Sequence, residues 1–183
     1  MIYPIRAYGD PILRKECEEI EDLGDDLTKL ISDMYETMDA SDGVGLAAPQ
    51  IGKNLRLFVI DSTVFGEDED GVRKAFINPI ILEEEGKEWA FEEGCLSIPE
   101  VREDVIRPPK VTIEHQLQDG EIVTEVFEGM TARIIQHEYD HIEGVLFIDY
   151  ISAFKRKLLK GKLANISKGK INVRYKMKFP KRK

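Results

Sequence analysis

Two of the three histidines in this chain stand four residues apart, in His137-Glu138-Tyr139-Asp140-His141. On an α-helix, positions i and i+4 share a face with Cβ atoms about 5–6 Å apart. Two imidazoles at that distance can hold one metal ion, and the glutamate beside the first can reach a metal-bound water as general base. A metal centre here therefore predicts a helix. It also requires the rest of the chain to deliver a third ligand and a partner for the oxyanion.

The chain of 183 residues is long enough for one domain, and its hydrophobic fraction of 42% suffices for a core. No run approaches the roughly 18 apolar residues of a membrane span. The first residues, Met1 to Glu16, show no basic stretch followed by a long apolar run, so no secretory signal is expected. Two cysteines far apart, Cys17 and Cys95, do not make a disulfide framework. They suit a reducing cytosol, where an isolated cysteine is a metal ligand, a catalytic group or a buried inert thiol. The last is the expectation for Cys17.

Charge is unevenly spread. All 35 acidic residues and 13 of the 26 basic ones lie in residues 1–149, while residues 150–183 carry 13 bases and no acid. An acidic body with such a tail suggests contact with a polyanion, nucleic acid or ribosome.

Helical spacing of Leu27, Leu30, Ile31, Met34 and Met38 predicts a helix, with Asp25 or Asp26 as its cap. It leads into the Gly-rich turn Ser41 to Gln50. Leu55 to Ile60 reads as a buried strand, and Ala75 to Leu82 as another, interrupted by Asn78-Pro79. Residues 67–70 read as a charged, solvated turn. Val111, Ile113, His115 and Leu117 alternate with polar residues, Asp119-Gly120 follows, and a second β-rich run holds Ile122, Val123, Val126 and Phe127, a hairpin signal. His115 falls on the inward face of that strand, as a hydrogen-bonded core histidine rather than a ligand. No internal repeat is present. Strands precede the motif helix without βαβ alternation, which predicts an α+β fold with antiparallel sheets packed around the metal-binding helix. Met130, Ile134, His137 and His141 share one stripe of that helix, and Gly144 is its C-cap.

After His141 only Glu143 and Asp149 could serve as the downstream glutamate of a thermolysin-like protease, and both are too near. Metzincins continue with a glycine and a third histidine. Gly144 matches the glycine, but Phe147 stands where that histidine should be. Cys95 remains, in Glu92-Glu93-Gly94-Cys95-Leu96-Ser97-Ile98-Pro99. A thiolate and two neutral imidazoles leave one position open, as a catalytic metal requires, and suit Fe(II), Zn or Co.

Three segments now resemble the peptide deformylase family. Its motif GxGxAAxQ appears as Gly43 to Gln50, EGCLS as Glu93 to Ser97, and QHExDH as Gln136 to His141, in the family's order. The resemblance covers roughly residues 3–165. Pro49 and Tyr139 are common variants, whereas Arg133 stands where some members have an apolar residue at the side-chain pocket.

The resemblance implies the chemistry: removal of the formyl group from the N-terminal methionine of nascent polypeptides, with formate released. Cys95, His137 and His141 would bind one divalent metal, Fe(II) in the native family, with Zn, Ni or Co able to replace it in a purified sample. Glu138 would take the proton of the attacking water and deliver it to the departing amine. The oxyanion would be met by the metal, the Gln50 amide and the Leu96 N–H. Val44 and Gly45 would pair with an extended peptide, Gly94 would allow close approach, and Met130, Ile134 and Val44 would take the methionine side chain, with Arg133 at the pocket mouth. Asp140 would orient the site from behind, by pairing with Arg107.

A single catalytic domain is expected over residues 1–165, with a basic extension over 166–183. Ser152 caps a helix with Phe154, Leu158, Leu159 and Leu163 on one face and Lys155, Arg156, Lys160 and Lys162 around it. Ile171, Val173, Tyr175, Met177 and Phe179 then alternate with Asn172, Arg174, Lys176 and Lys178, as a strand that completes a sheet or forms a dimer edge. Family members dock a basic C-terminal helix near the ribosomal exit tunnel, so the expected partners are formylated nascent peptides and rRNA, with no DNA and no membrane, in a bacterial cytoplasm. Two rivals remain: a metallopeptidase, and a basic-tailed binding module whose metal is structural.

Overall fold

The computed structural model describes residues 1–66 and 71–180. The charged turn expected at 67–70 lies outside the described residues. The chain contributes helices α1 (Asp25–Ala40), α2 (Gly129–Ile142) and α3 (Ala153–Ser167). Its strands are β1 (Ile5–Arg6), β2 (Gly45–Ala47), β3 (Leu57–Asp61), β4 (Arg73–Glu85), β5 (Trp89–Cys95), β6 (Ile98–Arg107), β7 (Lys110–Gln116), β8 (Ile122–Glu128) and β9 (Met177–Lys178).

A five-stranded antiparallel sheet of order β2-β3-β4-β7-β8 forms the body, and β5 with β6 makes a separate antiparallel hairpin. The α+β architecture read from the sequence is the one observed, although β1 and β9 pair in parallel, as does an isolated bridge between Glu18 and Leu55. Strand β3 shows how the two sides of the sheet are filled. Successive side chains of a strand point to opposite faces, so Leu57 and Val59 join the α1 core with Ile31, Met34 and Met38, while Phe58 and Ile60 join the α2 core with Phe76, Ala132 and Ile135. Both faces of β3 are buried, and α2 is thereby fixed against the sheet that carries β2.

Several local expectations are revised. Asp25 and Asp26 begin α1 rather than cap it; its N-cap is Gly24, whose N–H donates to Asp22. Asn78-Pro79 does not end β4. The strand continues through a bulge, with Asn78 at φ 47, a conformation asparagine tolerates. The Asn78 amide holds both backbone groups of Ile20 at 2.8 Å. The hairpin expected at 111–127 forms as β7 and β8. His115 is buried within it and is hydrogen-bonded to Glu125 at 2.6 Å, as expected of a core histidine. Gly144, at φ 73, follows the end of α2, with Val145 N–H donating to the Asp140 carbonyl.

The tail departs most from its periodicity. Ser152 does cap α3, accepting from Lys155 N–H at 3.2 Å. Phe154 and Leu158, however, are exposed; of the expected face only Leu159 and Leu163 pack against the body, joined by Ile166. The strand expected over 171–179 is realised only at Met177–Lys178, because its partner β1 offers two residues.

Candidate active site

Strand β5 and helix α2 deliver the ligand set. Cys95 is the last residue of β5. Between Gly94 and Cys95 the pairing with β6 slips, and residues 99–101 of β6 bulge out, with Glu100 at φ 62. A bulge re-aims the strand next to it, here the one bearing Cys95. On α2 the rings of His137 and His141 are 5.2 Å apart, centroid to centroid. Cys95 Sγ lies 3.3 Å from His141 Nε2. One donor atom each from Cys95, His137 and His141 lies within 4.8 Å of the other two, and among the described residues no fourth His, Cys, Asp or Glu joins them. The spacing read from the sequence is thus realised in space.

The donors fit a divalent metal. His137 Nδ1 is engaged by Glu93 at 2.9 Å, which turns Nε2 towards the cluster. Glu138 Oε2 and His141 Nδ1 are buried without a hydrogen-bond partner. A thiolate, two imidazoles, an open position and an unpartnered carboxylate oxygen form a set suited to a catalytic rather than a closed structural ion.

Glu93 is the residue that sequence reasoning missed. It was visible only as the first letter of a motif. In the fold its buried carboxylate accepts from Arg107 Nε at 2.6 Å and Nη2 at 3.1 Å, and from Arg133 Nη1 at 2.8 Å, besides holding His137. Arg107 also reaches Asp140 at 2.8 Å, the pair expected from the sequence, and Tyr150 donates to the other Asp140 oxygen at 2.9 Å. Asp140 and Arg107 stand behind the ligands and away from the main cleft. An adjacent Glu-Gly step in the sequence carried no hint that two arginines would converge there.

Gln50 and Leu96 complete the inner wall. Gln50 Oε1 accepts from Ala47 N–H at 2.8 Å, which fixes the amide and points Nε2 at Ser97 Oγ (3.3 Å) and Cys95 Sγ (3.5 Å). The Leu96 N–H has no acceptor among the described residues. Gly45 has a steric reason to be glycine: a Cβ there would lie 2.8 Å from Glu138 Cδ.

A cleft of about 560 Å³ opens over this centre. Val44, Gly45, Gly94, Met130, Arg133 and Ile134 all line it, as does Gln50. Strand β2 is the open edge of the sheet. The Val44 carbonyl is taken by Asp61 N–H at 2.9 Å, so by the alternation of an antiparallel ladder the N–H and C=O of Gly45 face the open side. The open side of β2 is therefore presented by the backbone of Gly45. Arg133 is not a free cation at the pocket mouth. Its guanidinium is held by Glu93, by the Val105 and Trp89 carbonyls, and over the Trp89 ring at 4.3 Å. Val173, Arg174 and Tyr175 also line the cleft, a contribution of the tail that its alternating pattern did not reveal.

Burial is the largest single influence on Glu138, Glu93, His137 and His141, but it does not always decide the direction. It pushes the Glu138 carboxyl up to about 7. For Glu93, burial acts upward, but His137 and Arg107 outweigh it and hold the carboxylate well below its usual range. Burial lowers both imidazoles. In His137 the Cys95 and Glu93 contacts reverse this and raise it well above an ordinary histidine, whereas His141 stays well below.

The profile of the family described as polypeptide deformylase matches residues 2–157, which stops short of the Val173–Tyr175 wall. A peptide deformylase of Cytophaga hutchinsonii is 58% identical over the whole of both chains. The crystal structure of the peptide deformylase from Thermotoga maritima superposes with a TM-score of 0.77 at 44% identity, covering 83% of this chain and 99% of that one. A peptide deformylase from Legionella pneumophila gives a TM-score of 0.82 at 40% identity, over 93% of this chain and 98% of its own.

Proposed function

Because the chain belongs to the polypeptide deformylase family, we infer that it removes the formyl group from the N-terminal methionine of nascent polypeptides, releasing formate. The observation that carries this reading is the convergence of Cys95, His137 and His141 beside an unpartnered Glu138 oxygen.

Cys95, His137 and His141 would hold one divalent ion, Fe(II) in the working protein, with Zn, Ni or Co as substitutes. When bound, such an ion supplies Lewis acidity, which lowers the pKa of water from 15.7 towards about 7 and polarises a carbonyl. Glu138 receives the proton of the attacking water and passes it to the leaving amine. Gln50 Nε2 and the Leu96 N–H donate to the formyl oxygen as it gains charge. Gly45 pairs with the main chain of the peptide, Gly94 leaves room for it, and Val44, Met130 and Ile134 surround the methionine side chain. Arg133 forms the pocket wall while Glu93 holds it in place. Arg107 and Asp140 steady the ligand helix from behind.

The outer face of α3 suits a ribosomal RNA contact. Lys155 is paired with Glu103, and Lys162 with the Glu100 carbonyl, whereas Arg156, Lys157 and Lys160 form no ion pair among the described residues. A chain working at the ribosome works in the cytoplasm, and no described helix is long and apolar enough to cross a membrane.

The test is formate release from a formyl-Met peptide by anaerobically prepared protein, beside Glu138→Ala and Cys95→Ser. Both variants should be inactive. Release undiminished by Glu138→Ala would overturn the mechanism, and cleavage of unformylated peptides would favour a peptidase.

A further inference from the structure

The turn that follows the cysteine is held from two sides by the ends of the chain. Leu96 and Ser97 join β5 to β6, with Cys95 paired to Ile98 across them. The Ser97 carbonyl accepts from Tyr8 N–H at 2.8 Å. The Leu96 carbonyl accepts from the Tyr175 hydroxyl, also at 2.8 Å. Tyr8 and Tyr175 come from segments that are themselves zipped together: Ile5 N–H donates to the Lys176 carbonyl at 2.9 Å, and Ala7 N–H to the Lys178 carbonyl at 3.0 Å. Both carbonyls of this short turn are therefore tied to the β1–β9 clasp.

We propose that Tyr175 is a positioning residue for deformylation, which through its hydrogen bond to the Leu96 carbonyl holds the Leu96 N–H at the cleft. The proposal rests on the deformylase reading above. Only the φ and ψ of Leu96 separate its own N–H from its own C=O. With Cys95 already anchored by its pairing to Ile98, fixing the carbonyl leaves the N–H little freedom to turn. A donor aimed in advance at the place where charge develops pays no reorganisation at the moment of reaction. The ring of Tyr175 packs into the same apolar cluster as Leu96 and Met177, so the hydroxyl is delivered from a supported side chain. The tail thus has a task at the centre of the reaction, separate from any charge contact made by α3.

The experiment compares wild type, Tyr175→Phe and Ile171→Ala. Ile171 sits in the same tail and packs against the cluster that holds Ile98 and Leu163, but among the described residues no hydrogen bond ties it to the Leu96 or Ser97 carbonyl, so it tests packing alone. Steady-state kinetics on a formyl-Met peptide are read beside amide hydrogen exchange of residues 94–98. Tyr175→Phe should lower kcat roughly two- to tenfold, the worth of one hydrogen bond. KM should stay within about twofold, since the ring that lines the cleft is kept and the hydroxyl removed is engaged by the Leu96 carbonyl. Exchange at 94–98 should quicken while exchange in α2 does not change. Ile171→Ala should leave both readouts at wild-type values. Wild-type kcat and exchange in Tyr175→Phe would overturn the proposal, as would the same losses in Ile171→Ala, which would reduce Tyr175 to packing. A wild-type protein that releases no formate would instead overturn the deformylase reading, and the positioning role with it.

Discussion

His137 Nδ1 and Glu93 Oε2 meet at 2.9 Å, and this contact decides which nitrogen of the imidazole faces Cys95. The same carboxylate is ion-paired with Arg107 and Arg133. Glu93→Gln keeps the shape and removes the charge. Loss of a ligand's hydrogen-bonding carboxylate typically costs about 10–100-fold in metal affinity or activity, and breaking a buried ion pair costs about 3–5 kcal/mol. Glu93→Gln should therefore lose metal on dialysis that wild type retains, and should unfold at lower urea. Metal content and a urea midpoint equal to wild type would show that the contact is dispensable.

Gly45→Ala places a methyl group against Glu138. The carboxylate must swing aside, and general acid–base help of about 10²–10⁴-fold is at stake. Formate release should fall by about a hundredfold or more with metal content unchanged. A smaller loss would mean that β2 yields and Glu138 keeps its place.

Gln50→Ala removes one oxyanion donor and leaves Ala47 N–H without its acceptor. The expected fall in kcat is about 10²–10³-fold. Single-turnover kinetics with the metal-loaded variant check it; a wild-type rate would remove Gln50 from the reaction.

Cys17 is buried, and burial pushes its thiol up to about 11 from an ordinary 9.0. As pH rises past about 9 the unfolded chain loses this proton first, so the group's contribution to stability is intact below that pH and is lost between about 9 and 11. Urea midpoints should fall over that window more steeply in wild type than in Cys17→Ala. At pH 8 only about one Cys17 in a thousand is thiolate, so a thiol reagent should spare it in the folded protein. Fast labelling of Cys17 at pH 8, or identical pH profiles for the two proteins, would refute the assignment.

Reversing Arg156, Lys157 and Lys160 to glutamate leaves Leu163, Ile166 and Tyr175 in place, which removal of residues 152–183 would not. Co-sedimentation with ribosomes at low salt should be lost while formate release persists. Unchanged co-sedimentation would end the docking proposal.

Much of the site was legible because its chemistry lies in short, contiguous stretches. Cys95, His137, His141, Glu138 and Gln50 come from three motifs, and the fold brings them together. Glu93 was not legible, since its role depends on Arg107 and Arg133, which are 14 and 40 residues away in sequence. The tail misled for a related reason. Alternation over 171–179 describes a strand in general, but pairing length is set by the partner, and β1 supplies two residues. Phe154 and Leu158 are four residues apart, as are Leu159 and Leu163, but at 3.6 residues per turn the two pairs lie on different faces of α3, and only the second meets the body.

Strand β2 ends the sheet with Gly45 turned outward. A strand edge recognises only peptide groups, which every protein shares. An enzyme that meets each newly made chain of a proteome needs that indifference downstream, and can reserve its discrimination for the first residue and its cap. With the peptide paired there, as proposed, the open edge would make one catalyst general without making it loose.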